Sequence, residues 1–210
     1  MANYPILVWQ DMFDRWIVLK NVDYGPLAEC GKPVVYLYPE KPMTVSVSVD
    51  ADVTVSDPPY GNGWLAQADP SGRLTVSGQS YPYLFWEGFG HGAYPNINGI
   101  GTLVTQSEML PTLKAQMTQL GLTVSEQADF LEFWQDRLPT TPYIRLTWLT
   151  TREMEGVAKL TIEPKPDTLI RVFLDFAGLE QPVVLRPQKL TTSDRRGFVA
   201  VEWGGSLSSH

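Results

Sequence analysis

Apolar and polar residues alternate along two long stretches of this chain, and the stretches are separated by a central segment with a different period. Valines alternate with small polar residues from Thr44 to Val49, and the same period of two runs from Ile144 to Trp148 and from Ile170 to Phe176. This alternation is typical of strands that have one face on the core and the other in water. Segments 44–87 and 143–203 are therefore predicted to be β-rich.

Turn residues divide the first of these stretches into strands. Trp64–Ala68 and Leu74–Val76 are predicted to pair as a hairpin, because Asp69-Pro-Ser-Gly72 between them suits a tight turn. The apolar run 34–38, bounded by two prolines, is predicted to be a buried strand. Tyr81–Glu87 is predicted to be an aromatic strand, followed by a glycine-rich loop over 88–95.

Helical spacing appears only in the centre of the chain. One helix is predicted to begin at a cap on Ser107 and to stop at Gly121. A second is predicted to open with a capping box, in which Thr123 and Glu126 satisfy each other's backbone N–H groups, and to close before Pro139. The short link between them predicts an antiparallel helical hairpin over 107–138.

The predicted fold class is a β-rich α+β protein with β-sandwich-like sheets and this central hairpin. The apolar face of each β-rich segment needs a cover, and the simplest cover is the other segment. The predicted organisation is an N-terminal segment, 1–32, that packs on a single β-rich domain, 33–205, with a polar tail at 206–210. Two separately cored domains divided within 103–142 are the alternative.

Composition excludes several classes of partner. The chain has 210 residues and a formal net charge of −7, which argues against binding to nucleic acid because that affinity comes largely from Lys and Arg. No apolar run approaches the ~20 residues of a transmembrane helix, so membrane insertion is not expected. No cofactor is expected, since no nucleotide-binding or metal-binding motif is present. Asp50 and Asp52 are more typical of a turn than of a calcium site.

Five short segments together resemble a widespread bacterial family of uncharacterised proteins, often found as the C-terminal part of longer, exported chains. The resemblance runs from Cys30 to Gly205. It implies an extracellular or cell-envelope location and no particular activity. The segments are Cys30-Gly-Lys-Pro-Val-Val-Tyr-Leu-Tyr-Pro-Glu40, Tyr60-Gly-Asn-Gly-Trp64, Tyr83-Leu-Phe-Trp-Glu-Gly88, Pro164-Lys-Pro-Asp-Thr168 with Arg171-Val-Phe173, and Gly197-Phe-Val-Ala-Val-Glu-Trp-Gly-Gly205.

Two glutamates are candidate catalytic residues. Glu87 and Glu202 each stand beside a tryptophan and are followed closely by glycine. Carboxylates in apolar surroundings can have their pKa values pushed apart, so that one serves as acid and the other as base, as in glycosidases and acid peptidases. The structural interpretation, which we favour, is that both accept backbone N–H bonds at strand ends.

Cys30 and His91 form a weaker catalytic candidate. A thiol nucleophile needs a base within hydrogen-bond reach, and His91 is the only histidine away from the C-terminus. A buried structural thiol is the commoner role for a single cysteine. One cysteine and two histidines without ligand spacing do not predict a zinc site.

Aromatic residues around one hairpin are the candidate binding residues: Tyr60, Trp64, Tyr81, Tyr83 and Trp86. Aromatic side chains can stack on sugar rings, but they also fill sheet cores. The sequence therefore favours a non-catalytic binding or attachment module of an exported or surface protein, with a glycan or a protein as its partner. A hydrolase that uses Glu87 and Glu202 is the alternative. Nothing in the sequence indicates an oligomeric state.

Overall fold

The computed structural model of the chain describes residues 6–10, 14, 16–20, 28–191 and 194–208. Its main sheet has seven strands, and strands from before and after the helical segment share it. Their spatial order is β10 (Thr102–Thr105), β11 (Tyr143–Leu149), β13 (Thr168–Leu179), β14 (Val199–Leu207), β3 (Ala28–Tyr38), β9 (Leu84–Gly90) and β5 (Ala51–Asp57). The neighbours β13 and β14 are parallel, and the other pairs are antiparallel.

A second sheet has five antiparallel strands. Its order is β12 (Leu160–Glu163), β4 (Met43–Val49), β6 (Trp64–Ala68), β7 (Leu74–Val76) and β8 (Gln79–Tyr81). The predicted hairpin is confirmed as β6 and β7. A separate antiparallel pair, β1 (Ile6–Gln10) and β2 (Trp16–Lys20), forms in the N-terminal segment. The packing of that segment on the rest of the chain stays a prediction, because half of its residues and most of its side chains lie outside the described part.

In the described part of the chain, three α-helices accompany the sheets: α1 (Gln106–Gln119), α2 (Val124–Trp134) and α3 (Thr151–Val157). A short 3-10 helix, Gln135–Arg137, follows α2. The capping box of Thr123 and Glu126 opens α2 as predicted. Helix α1 begins earlier than predicted, because Thr105 and Glu108 form a capping box of their own. The β-rich α+β class is confirmed, whereas the antiparallel pairing of α1 with α2 stays a prediction. Among the described helices none is long and apolar enough to cross a membrane.

The layers follow from side-chain alternation in the seven-stranded sheet. On β3, Val35 and Leu37 join a core cluster shared with the five-stranded sheet, while Val34 and Tyr36 join a second cluster shared with α1 and α2. Because successive side chains of a strand point to opposite faces, one sheet can serve two cores. The molecule therefore has three layers, with the seven-stranded sheet between the five-stranded sheet and the two longer helices.

The predicted loop after Glu87 is wrong in its first part, where β9 continues through two glycines to Gly90. A Cβ at Gly88 would lie 2.0 Å from the backbone oxygen of Asp52, and one at Gly90 would lie 2.4 Å from that of Val157. Glycine is present here because neighbouring backbones approach closely, not because the chain turns. The predicted strand 81–87 is also divided, since β8 ends at Tyr81 and β9 begins at Leu84 in the other sheet.

A buried ion pair lies between the two sheets. Arg171 and Glu202 are direct neighbours on the parallel strands β13 and β14, and the Nε of Arg171 donates to Glu202 over 2.7 Å. The arginine also donates to Glu155 and, over 2.8 Å, to the carbonyl of Ala158. The indole N–H of Trp86 donates to the other oxygen of Glu202 over 3.2 Å. Arg171 and Glu202 are 1% and 2% exposed, so protein groups, not water, must neutralise them.

We predict that Glu202→Gln lowers the free energy of unfolding by about 3 kcal/mol, because it removes the more deeply buried of the two carboxylates that balance a buried arginine. Urea denaturation measures this as a lower midpoint with an unchanged slope. Glu87→Gln is the control. Its side chain is only half-buried, and we expect a change within about 0.5 kcal/mol. Equal effects of the two substitutions would contradict a structural role for the ion pair.

Candidate functional site

An open cavity of about 430 Å³ lies at one end of β3, where the helical layer meets the five-stranded sheet. This volume lies within the range of ordinary ligand sites. We call it the tyrosine cleft, and its lining residues are Tyr36, Tyr38, Ser71, Gly72, Arg73, Ser80, Tyr81, Pro82, Ser125 and Asp129.

Tyr36 and Tyr38 form one wall of the cleft. They are two residues apart on β3 and therefore share a face. Their rings are parallel to within 3° with centroids 6.1 Å apart. Tyr83 adds an edge-on ring 5.6 Å from that of Tyr36. The strand geometry thus presents neighbouring aromatic rings to the helix α2.

Helix α2 offers each tyrosine a carboxylate. The hydroxyl of Tyr36 donates to Asp129 over 2.7 Å and accepts the indole N–H of Trp203 at 3.2 Å. Burial of the ring, followed by the hydrogen bond to Asp129, raises the pKa of Tyr36. The hydroxyl therefore stays protonated and fixed, and it engages one of the two carboxylate oxygens of Asp129.

Tyr38 is flanked by an ion pair between a buried glutamate and a half-buried arginine. Glu126, which is fully buried, receives two N–H groups of Arg195 at 2.9 Å each. The guanidinium of Arg195 lies 5.1 Å from the centroid of the Tyr38 ring. Burial, followed by the negative charge of Glu126, raises the pKa of Tyr38. Because Glu126 and Asp129 are one helical turn apart, the two carboxylates match the spacing of the two tyrosines on β3.

The turn between β6 and β7 closes the cleft from the other sheet. Gly72 has a positive φ of 84°, and a Cβ there would lie 2.5 Å from Cε1 of Tyr38. The turn therefore packs its glycine directly against the tyrosine ring. Exposed Ser71 and Arg73 flank this contact at the rim of the cleft.

Chemically, the cleft combines an aromatic wall with a polar rim. The rings of Tyr38 and Tyr81 supply most of the apolar surface, because Tyr36 is only 5% exposed, while three serine hydroxyls, Asp129 and Arg73 supply donors and acceptors. Sequence reasoning missed most of these residues. The signals were the Tyr-Leu-Tyr alternation in 36–38 and the spacing of Glu126 and Asp129 on one helix face.

Of the predicted aromatic binding residues, only Tyr81 lines the cleft. Trp64 and Trp86 are 2% and 0% exposed and belong to the core between the sheets. The Tyr60 ring meets that of Trp64 edge-on at 4.7 Å, and its hydroxyl donates to the carbonyl of Val49. Tyr83 packs on the helix-side core. The five residues do not form one groove, because their strands lie in different sheets and their side chains face different layers.

The structure does not bring Glu87 and Glu202 together. Glu202 bonds Arg171 and Trp86 in the space between the sheets. Glu87 shares its face of β9 with Phe85, which packs against the helix-side core. The two carboxylates therefore project from opposite faces of one sheet. Glu202 is sealed by charged and indole N–H donors, whereas we expected backbone N–H donors.

His91 is engaged by two aspartates at the surface. Its Nδ1 lies 2.7 Å from Asp50 and its Nε2 lies 3.1 Å from Asp52. These contacts, with that to Asp50 the stronger, raise the pKa of His91 above its ordinary value. The side chain of Cys30 lies outside the described residues, so the Cys30–His91 pairing stays a prediction. No cluster of three side chains suited to hold a metal ion occurs in the described part of the chain.

Comparison with known proteins finds a partial relative and no established family. An "Uncharacterized protein in bglA 3'region" of Butyrivibrio fibrisolvens is 44% identical over 62 residues, which is 27% of this chain. The chain covers 65% of the length of that relative. No family model matches, and no solved structure matches.

We predict that Gly72→Ala lowers the free energy of unfolding by more than its backbone strain alone would. Gly78→Ala is the matched control, because Gly78 has a similar φ of 80° but nothing lies within 4 Å of the position that a methyl group would take. The control should lose about 1–2 kcal/mol from strain alone. Gly72→Ala should lose at least about 1 kcal/mol more, from overlap with Tyr38. Chemical denaturation measures both, and equal losses would show that the turn does not press on Tyr38.

We predict that His91 titrates above the ordinary histidine pKa of about 6.5. Protonated His91 is favoured by Asp50 and Asp52 in the folded state. Its contribution to stability should therefore be complete below the unfolded pKa and be lost as pH rises through the higher folded pKa. An NMR titration of the imidazole Cε1–H, assigned with His91→Gln, measures the pKa. Replacing both aspartates by asparagine should lower it, and an unchanged value would contradict the two contacts.

Proposed function

We propose that this chain is a non-catalytic binding module that takes a saccharide in the tyrosine cleft. The observation that carries the proposal is the open cavity of about 430 Å³, with its aromatic wall and its rim of hydroxyl and charged groups. Its role within an exported or surface protein rests on the family resemblance of the five sequence segments.

The chemistry of the cleft suits a sugar ring. A pyranose has an apolar face of C–H groups and an edge of hydroxyls that both donate and accept. Aromatic side chains cover such a face without losing much conformational entropy, since they have only two rotatable side-chain bonds. Ser80 and Ser125 can donate or accept, and Ser71, whose hydroxyl donates to Asp69, can accept. The carboxylate of Asp129 accepts and Arg73 donates. This set supports recognition of a polyhydroxylated ligand better than that of a purely apolar one.

The placement of the carboxylates supports binding over hydrolysis. Two-carboxylate hydrolysis needs both groups to flank one bond of the substrate. Glu126 is committed to Arg195, and Glu202 is committed to Arg171. Among the described residues, Asp129 is the one carboxylate that lines the tyrosine cleft, and it is already bonded to Tyr36. The lining residues include no second acid of the kind that such hydrolysis would require.

We predict that saccharide binding depends on Tyr81 and Asp129. A glycan array and pull-down on insoluble polysaccharides identify the ligand, and calorimetry then measures its dissociation constant. Tyr81→Ala should weaken binding at least about fivefold, because an aromatic side chain at a ligand contact contributes more than about 1 kcal/mol. Asp129→Asn should weaken it less, because the amide oxygen can still accept from Tyr36.

The controls are residues of the same types outside the cleft. Tyr143→Ala removes a half-buried tyrosine from the far side of the sheet, and Glu132→Gln neutralises an exposed acid on the next turn of α2. Both should bind as the unaltered chain does. The proposal fails if no saccharide binds on arrays or polysaccharides, or if the control variants lose as much affinity as the cleft variants.

A further inference from the structure

A second cavity, of about 310 Å³, lies near the β10 edge of the seven-stranded sheet, beside β11 and the end of β13. It shares no lining residue with the tyrosine cleft. Its walls are mainly apolar, and two of them are valines with unusual exposure, Val183 at 42% and Val184 at 99%. The lining residues are Asn98, Gly99, Arg145, Leu179, Val183, Val184 and Leu185.

Among the described residues that line this cavity, Arg145 is the one charged group, and its side chain is only 6% exposed. One terminal nitrogen donates to Asp175 over 2.6 Å and the other to Thr147 over 2.8 Å. The buried Nε has no hydrogen-bond partner among the described residues. Since a guanidinium carries five N–H groups, donors remain that no described acceptor satisfies. Buried N–H groups without acceptors are rare and costly, so the guanidinium requires an additional acceptor.

The charge of Arg145 is already balanced. Asp175 is 1% exposed, and besides Arg145 it receives the hydroxyls of Tyr94 and Ser208, each at 2.7 Å. An anionic ligand would therefore add an unbalanced charge beside mainly apolar walls, which is less favourable than a neutral acceptor. What the cavity lacks is an acceptor atom and not a negative charge.

We propose that this second cavity binds a small, uncharged, apolar compound through a carbonyl or amide oxygen that accepts from Arg145. The apolar part of the ligand packs on Leu179, Val183 and Leu185, and Val184 covers it from the mouth. The exposed valines are thereby explained as a binding surface, since apolar side chains around a cavity commonly mark a ligand site.

A matched set of three compounds tests the proposal: hexanamide as the neutral acceptor, hexanoate as the charged acceptor and hexylamine as the cation without an acceptor. Ligand-observed NMR measures the affinities, and the amide shifts of Gly99 and Leu185 locate the binding. Hexanamide should bind at least about fivefold more tightly than either of the others. Absence of hexanamide binding at millimolar concentration, or tighter binding of hexanoate, would overturn the proposal.

Three variants distinguish binding in this cavity from nonspecific apolar binding. Val184→Ser should weaken hexanamide binding severalfold, whereas Val124→Ser, at an 85% exposed valine on α2, should leave it unchanged. Arg145→Lys keeps the charge beside Asp175 but loses the planar set of donors, so it should weaken hexanamide binding at least about fivefold. Unchanged hexanamide affinity in the folded Arg145→Lys variant would overturn the role of Arg145. If that variant does not fold, the two valine variants decide.

Discussion

The buried pair of Arg171 and Glu202 is the constraint on which the rest of this fold depends. The seven-stranded sheet is covered on both faces, so charges in its middle have no access to water. Each guanidinium nitrogen of Arg171 therefore has a protein acceptor: Glu202 on the next strand, Glu155 on α3 and the carbonyl of Ala158. Such a pair adds little net stability but penalises any arrangement that separates its members. It thereby fixes β13, β14 and α3 relative to one another.

The same pair joins several of the five sequence segments on which the proposed family resemblance rests. Arg171, Glu202 and Trp86 come from three of those segments and meet at one point between the sheets. Tyr36 and Tyr38, from a fourth, form the wall of the tyrosine cleft. These segments thus combine residues that hold the sheets in register with residues that surround a cavity.

The sequence predicted the local elements well because period-two alternation and capping boxes are short-range signals. It missed α3, although Thr150 and Glu153 form the same capping box that identified α2. The sequence analysis wrongly assigned Gly88 and Gly90 to a loop. Glycine is required both in turns and where distant backbones approach closely, so the residue type alone does not distinguish the two. The sequence could not show whether Glu87 and Glu202 face each other, for a different reason. Alternation assigns side chains to a face within one strand, but the register between strands decides which faces coincide.

The register of β14 also links the Arg171–Glu202 ion pair to the tyrosine cleft. Glu202 and Trp203 are neighbours on β14 and therefore point to opposite faces. Glu202 meets Arg171 between the sheets, while the indole of Trp203 donates to the hydroxyl of Tyr36 on the helix side. A slip of β14 by one residue would exchange the two faces, and it would break the ion pair and release Tyr36 together. The buried ion pair, although it does not line the tyrosine cleft, therefore sets the orientation of a cleft wall.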